Sequence, residues 1–147
     1  MSYIVNRNIE SLEEIINEVP TEYNILVCRN KGLRSLRGID RLPQITRLHV
    51  DNNQITSLQG IIGSNVAYLS IENNQITSLE YITGSNITDL YISNNQITSL
   101  KHIVGSNVIH LSIDNNPCYN EFVELENSIE KVKERYSFLD VKDPGFE

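Results

Sequence analysis

Apolar residues recur on a fixed frame through most of this chain. Leu48, Leu69, Leu90 and Leu111 stand 21 residues apart, and Val50, Ile71, Ile92 and Ile113 follow them two places later. Polar residues alternate with them, so each site predicts a short strand with one buried face. Further along each unit come Ile55, Ile76 and Ile97, then Leu58, Leu79 and Leu100, then Ile61, Ile82 and Ile103. Three copies close on Gly-Ser-Asn and a β-branched residue: Val66, Ile87 and Val108. An earlier copy of 22 residues carries Leu26, Cys28, Leu33, Leu36, Ile39 and Leu42 on the same frame. Strands this short cannot stand alone and must stack on their neighbours, pairing in parallel roughly 4.8 Å apart.

The polar letters repeat as well. "NNQITSL" occurs three times, at 52–58, 73–79 and 94–100, and a fourth copy breaks off after Asn115-Asn116. The second Asn of each pair (Asn53, Asn74, Asn95, Asn116) falls where the chain turns away from the strand. An amide there can both accept from and donate to buried backbone groups, which predicts an internal Asn ladder. Gly63, Gly84 and Gly105 are expected to supply free backbone angles for the return turn. The repetition extends to Gln54, Gln75 and Gln96, which packing does not require and which duplication of one unit explains.

The segments "LHVDNNQI" (48–55), "LSIENNQI" (69–76) and "LYISNNQI" (90–97) resemble the leucine-rich repeat pattern LxxLxLxxNxI. The short unit is most similar to the internalin and phosphatase-regulator branch of that family, and its "GSN" turn is one residue shorter than the usual link. The resemblance covers roughly residues 23–118. It implies an α/β fold: a right-handed leucine-rich repeat solenoid with a parallel β-sheet on its concave face and a capping helix at each end. It also implies binding of a protein partner on that face.

Stacked repeats expose apolar surface at both ends. At the front, "SLEEIINEVP" predicts a short helix, with Ser11 and Glu14 as a capping box and Pro20 as its stop. At the back, "NEFVELENSIEKVKERY" predicts one amphipathic helix with Asn120 as N-cap and a buried stripe of Phe122, Leu125, Ile129 and Val132. "SFLDV" reads as a final strand-like element, and the run from "NNP" to "FLD" resembles the C-terminal cap of the same family branch. The organisation expected is one domain over 1–147: a helical cap at 1–22, four repeats and a half-repeat at 23–118, a helical cap at 119–141, and a loose tail at 142–147.

Composition narrows the function classes. The chain is 39% hydrophobic and 21% charged, which suits a globular domain. A formal charge of −7 argues against a phosphate backbone as partner. No apolar run approaches the roughly 18 residues of a membrane span. The start shows no basic region leading into an apolar run, so a signal peptide is not expected. Cys28 and Cys118 are then expected in a reducing, cytoplasmic setting, as buried small hydrophobes four rungs apart and beyond disulfide reach.

Candidate function lies in residues that do not repeat. Those facing out of the sheet form three columns: Ile25, Arg47, Tyr68, Asp89, His110; then Val27, His49, Ser70, Tyr91, Ser112; then Arg29, Asp51, Glu72, Ser93, Asp114. Tyr68 and Tyr91 are candidate anchors, because tyrosine offers rigid amphipathic contact area. The third column is mainly acidic and favours a partner with a basic surface. The partner-binding set is therefore Arg47, His49, Asp51, Tyr68, Ser70, Glu72, Asp89, Tyr91, Ser93, His110 and Asp114.

Other chemistry finds little support. His49 and His110 are three rungs apart, roughly 14 Å, too far to share a metal. Asp89 and His110 are neighbours, expected to pair as carboxylate and imidazolium. No catalytic constellation and no cofactor motif is present, so a non-catalytic monomeric interaction module is expected. The alternatives are a structural or self-assembling repeat protein, and an adaptor that regulates an enzyme such as a phosphatase.

Overall fold

The structure, a computed structural model, describes residues 1–142, with side chains through 137. Six three-residue strands form one parallel sheet in chain order: β1 (Ser2–Ile4), β2 (Ile25–Val27), β3 (Arg47–His49), β4 (Tyr68–Ser70), β5 (Asp89–Tyr91) and β6 (His110–Ser112). The register never slips. Tyr3, Leu26, Leu48, Leu69, Leu90 and Leu111 lie opposite one another in succession. A slip of one residue would turn the whole apolar set to the wrong face, so the Leu row fixes the pairing.

The core is one continuous column of apolar side chains. The Leu, Ile and Val positions of the three near-identical units are buried throughout, and Cys28 occupies the place of Val50 and Ile71 without exposure. Cys118 fills the place of Ile55 and is 4% exposed. Burial pushes both thiols up to about 11, so neither is a thiolate near neutrality.

Polar letters of the repeat hold the backbone. Asn95 Oδ1 accepts from the Ile76 N–H at 2.9 Å, and its Nδ2 donates to the carbonyls of Ile71 (3.1 Å) and Ile92 (3.0 Å). Asn53, Asn74 and Asn116 do the same on their own rungs. The first Asn of each pair has a different task. Asn52, Asn73, Asn94 and Asn115 all take left-handed backbone, with φ of 60, 58, 60 and 59°. Asn tolerates that region better than other side chains.

"GSN" forms a second ladder along the opposite turn. Ser64, Ser85 and Ser106 hydroxyls donate to the carbonyls of Ile61, Ile82 and Ile103 at 2.8, 2.8 and 2.7 Å. Asn65, Asn86 and Asn107 reach the preceding rung, donating to the carbonyls of Pro43, Ser64 and Ser85. In "TSL", the Ser57, Ser78 and Ser99 hydroxyls accept from N–H groups two residues on, a local turn that replaces helix or ladder bonds.

Several expectations are corrected. Gly63 and Gly105 have positive φ, at 88 and 80°, but Gly84 does not; Tyr81, at φ 82°, stands at the repeat position of Gly60, at φ 102°. A Cβ at Gly84 would lie 2.9 Å from Ile62 Cδ1, the end of an exposed side chain that can move aside. The N-terminal segment is not only a helical cap. It contributes β1 and a single 3-10 turn, Leu12–Ile15, whose Glu14 carboxylate accepts from the Ser11 N–H at 3.3 Å. Tyr3, Val5, Ile9, Leu12 and Ile15 pack on the core in the manner of a degenerate first repeat.

At the other end the single helix is two, α1 (Tyr119–Glu124) and α2 (Ile129–Lys142). They are separated by Glu126 and Asn127 at φ 60 and 55°. Asn120 lies inside α1, whose N-cap is Cys118, because the helix starts directly after the Asn116 bracket. The expected strand-like "SFLDV" instead continues α2, because nothing before Pro144 interrupts a helical backbone. Phe122 and Val132 are buried, with Leu125 and Ile129 half-buried beside them. Glu121 clamps the two helices, accepting from Tyr136 Oη at 2.7 Å and Arg135 Nη1 at 2.9 Å. The expected loose tail lies outside the described residues apart from Lys142.

Candidate interaction face

Register places the first two columns on the sheet as aligned rows, and the third follows just past the strand ends. Arg47, Tyr68, Asp89 and His110 are successive partners, as are His49, Ser70, Tyr91 and Ser112. Rings form a staircase across β3, β4 and β5. His49 and Tyr68 centroids are 5.4 Å apart, and Tyr68 and Tyr91 centroids 5.0 Å. The Arg47 guanidinium lies 4.0 Å from the centre of the Tyr68 ring, within cation–π range. Both tyrosines are half-buried, so their rings are held while an edge or face stays open to solvent.

A polar network anchors the first half of the third column. Asp51 is buried and accepts from Arg29 Nε at 3.0 Å, from Ser70 Oγ at 2.7 Å and from the Glu72 N–H at 2.7 Å. Arg29 Nη2 also lies 2.8 Å from His49 Nδ1. A guanidinium can only donate, so His49 Nδ1 accepts and its proton sits on Nε2. Burial, then the Arg29 charge, holds the His49 imidazole below its ordinary value.

The second half is built on Asp114. Its carboxylate accepts a short bond from Ser93 Oγ and another from Ser112 Oγ at 3.3 Å. The Ser93 hydroxyl keeps that carboxyl below the usual range. At the rim, Asp89 Oδ1 and His110 Nδ1 are 2.6 Å apart, the pair expected from their neighbouring places.

The reachable face is narrower than the three columns. Asp51, Ser70 and Ser93 are 8%, 8% and 4% exposed and serve their neighbours rather than solvent. Glu72 differs from both aspartates. It lies between them, no donor among the described residues bonds its carboxylate, and burial and then the charges of Asp51 and Asp114 push it up. Its isolation depends on how the flanking acids bond, which spacing alone does not encode. Among the described residues no cluster of three potential metal ligands occurs, and no helix is long and apolar enough to cross a membrane.

Solved structures that resemble this chain include two internalins. An internalin C2 from Listeria monocytogenes str. 4b F2365 is 24% identical with a TM-score of 0.64, over 74% of this chain and 49% of its own. An internalin (inlF) from the same strain is 25% identical with a TM-score of 0.63, over 78% of this chain and 35% of its own. Parallel strands at a 21-residue spacing, the internal Asn ladder and these neighbours agree.

The fold is a leucine-rich repeat solenoid.

The leucine-rich repeat chain spans about half the length of the first internalin and about a third of the second. No protein-family model matches it, and no curated protein does. The likeness fixes the architecture of the leucine-rich repeat sheet; the residues on that sheet are this chain's own.

Proposed function

We propose that this chain is a non-catalytic protein-interaction module that takes a protein partner on its concave face. The observation that carries the reading is the Arg47–Tyr68–Tyr91 group. Two tyrosines, side by side at the centre of the sheet, are held at 5.0 Å by their neighbours and backed by a guanidinium. Large aromatic groups with little freedom left to lose make strong anchors, because ordering them on binding costs little. Glu72, Asp89 and His110 supply polar contacts around them. Glu72 favours a basic group on the partner, since a cation there relieves a carboxylate that its neighbours repel. Asp51 and Asp114 act at one remove, by fixing the strand ends. Two buried free thiols support an intracellular setting.

The test is a double substitution, Tyr68→Ala with Tyr91→Ala. Captured partners should be lost or bind at least tenfold more weakly by isothermal titration, while circular dichroism and the melting profile keep a folded solenoid. Unchanged affinity moves the site off this face.

A further inference from the structure

Among the described residues the sheet has a free edge at β6, and the rest of the solenoid defines what that edge is shaped to take. Every interior strand passes the same backbone bonds to its successor. The N–H groups of Cys28, Val50, Ile71 and Ile92 each donate to the next strand at 2.8 Å. Those of Asn30, Asn52, Asn73 and Asn94 donate to the next rung at 3.1, 2.9, 3.1 and 3.0 Å. Carbonyls of Asn24, Thr46, Ala67 and Thr88 each accept from the following repeat. The corresponding groups of the last strand are the Ile113 N–H, the Asn115 N–H and the Ile109 carbonyl. Among the described residues none of the three has a partner.

Apolar surface lies beside these groups. Leu48, Leu69 and Leu90 are fully buried, but Leu111 in the same row is only half-buried. Ile109 is 64% exposed. A groove of about 580 Å³ runs between this edge and the cap, lined by Ile109, Leu111, Phe122 and Ile129. A smaller hollow of about 180 Å³ continues it past Ser112 to Asp114. Among the described residues the cap therefore covers the core but leaves the strand edge open.

We infer that β6 accepts an extended segment of a partner protein as a seventh parallel strand, with an apolar side chain in register over Leu111. Five consecutive strand pairs in one register establish the interface that this segment would continue. Main-chain bonds to Ile109, Ile113 and Asn115 supply affinity, and the groove selects an apolar residue flanked by polar ones, as in strand addition generally. Tyr91 and His110 also line this groove, so the edge surface adjoins the concave anchors.

The probe is a synthetic peptide with the sequence of residues 87–95, ITDLYISNN, whose leucine would lie over Leu111. Amide exchange is followed by NMR in the 147-residue chain. In the free chain the Ile113 and Asn115 amides should exchange at least 100-fold faster than those of Ile92 and Asn94. Added peptide should slow both. N-methylation of the peptide at its threonine and aspartate, which would donate to the Ile109 carbonyl, should weaken binding at least tenfold. Ile109→Asp, a change at an exposed position, should do the same without altering the melting profile.

Protection of Ile113 and Asn115 in the free chain at every concentration means that the edge is already covered from within, and overturns the proposal. Protection that grows with chain concentration assigns the edge to a second copy and also overturns it. So does a peptide that leaves these amides unchanged, or an N-methylated peptide that binds as well as the parent.

Discussion

Buried polar side chains occur in two regions of this molecule, and they behave differently. In the turns, Asn53, Asn74, Asn95 and Asn116 bond only to backbone. On the concave face, Asp51 and Ser93 bond largely to side chains of neighbouring rungs. The later rungs present the same backbone, so the residue that serves it recurs from Asn53 onward, while the first copy has Lys31 at that place. Neighbouring side chains can differ, so residues that serve one another are free to change together. Repetition of the second Asn and the Ser of "NNQITSL", and variation just before it, follow from this division, whereas the glutamines repeat without such a role. Buried Asp51 shows that burial alone does not force repetition; the kind of partner does.

The comparison breaks most readily at the Asn ladder. Asn95→Ala should leave the Ile76 N–H and the Ile71 and Ile92 carbonyls without their partner, and cost about 2–4 kcal/mol in urea or thermal unfolding. A loss below about 1 kcal/mol would mean that the backbone finds other partners and that the ladder is dispensable.

Glu72→Gln sharpens the contrast from the face. The folded protein holds the Glu72 carboxyl above its ordinary value, so the folded state binds the more protons between the unfolded and folded values. Its contribution to stability is therefore greatest below the unfolded value and declines as pH rises through the folded one. The Gln variant should lose that decline, be the more stable protein near neutral pH, and bind a basic partner less well. Denaturation curves at several pH values, set beside titration with partner, check all three; a variant less stable near neutral pH would refute the repulsion at this site.

The smallest effect belongs to Gln75→Ser. Its side chain is exposed and its backbone N–H bonds the Ile55 carbonyl whatever the residue, so stability should shift by less than about 0.5 kcal/mol. A larger loss would show that the repeated glutamines are under structural constraint after all.

What was legible in the sequence follows the same line. Strand alternation, the Leu row, the second Asn and the two core cysteines were readable because each has one physical solution in a stack. β1 was missed because Tyr3 replaces the leucine and the segment to Ile9 is out of step with later copies. The break at Glu126-Asn127 was missed because the apolar stripe Phe122, Leu125, Ile129 and Val132 keeps helical spacing straight across it. The left-handed first Asn of each pair could have been found, since Asn recurring at a sharp turn is a signal for positive φ. The columns of the face were readable from the 21-residue period. Which of their residues stay reachable was not, because Asp51 is covered by Arg29, Ser70 and Glu72, groups drawn from two other strands and from two of the columns.

The ladder also governs how such a molecule can change its reach. Each rung offers its successor the same donors and acceptors that it received, at the same places. A unit of 21 residues can in principle be inserted or removed with every seam still matching, and the interacting face then grows or shrinks by one row, roughly 4.8 Å. Length becomes a quantity adjusted in whole steps, independent of what is written on the surface.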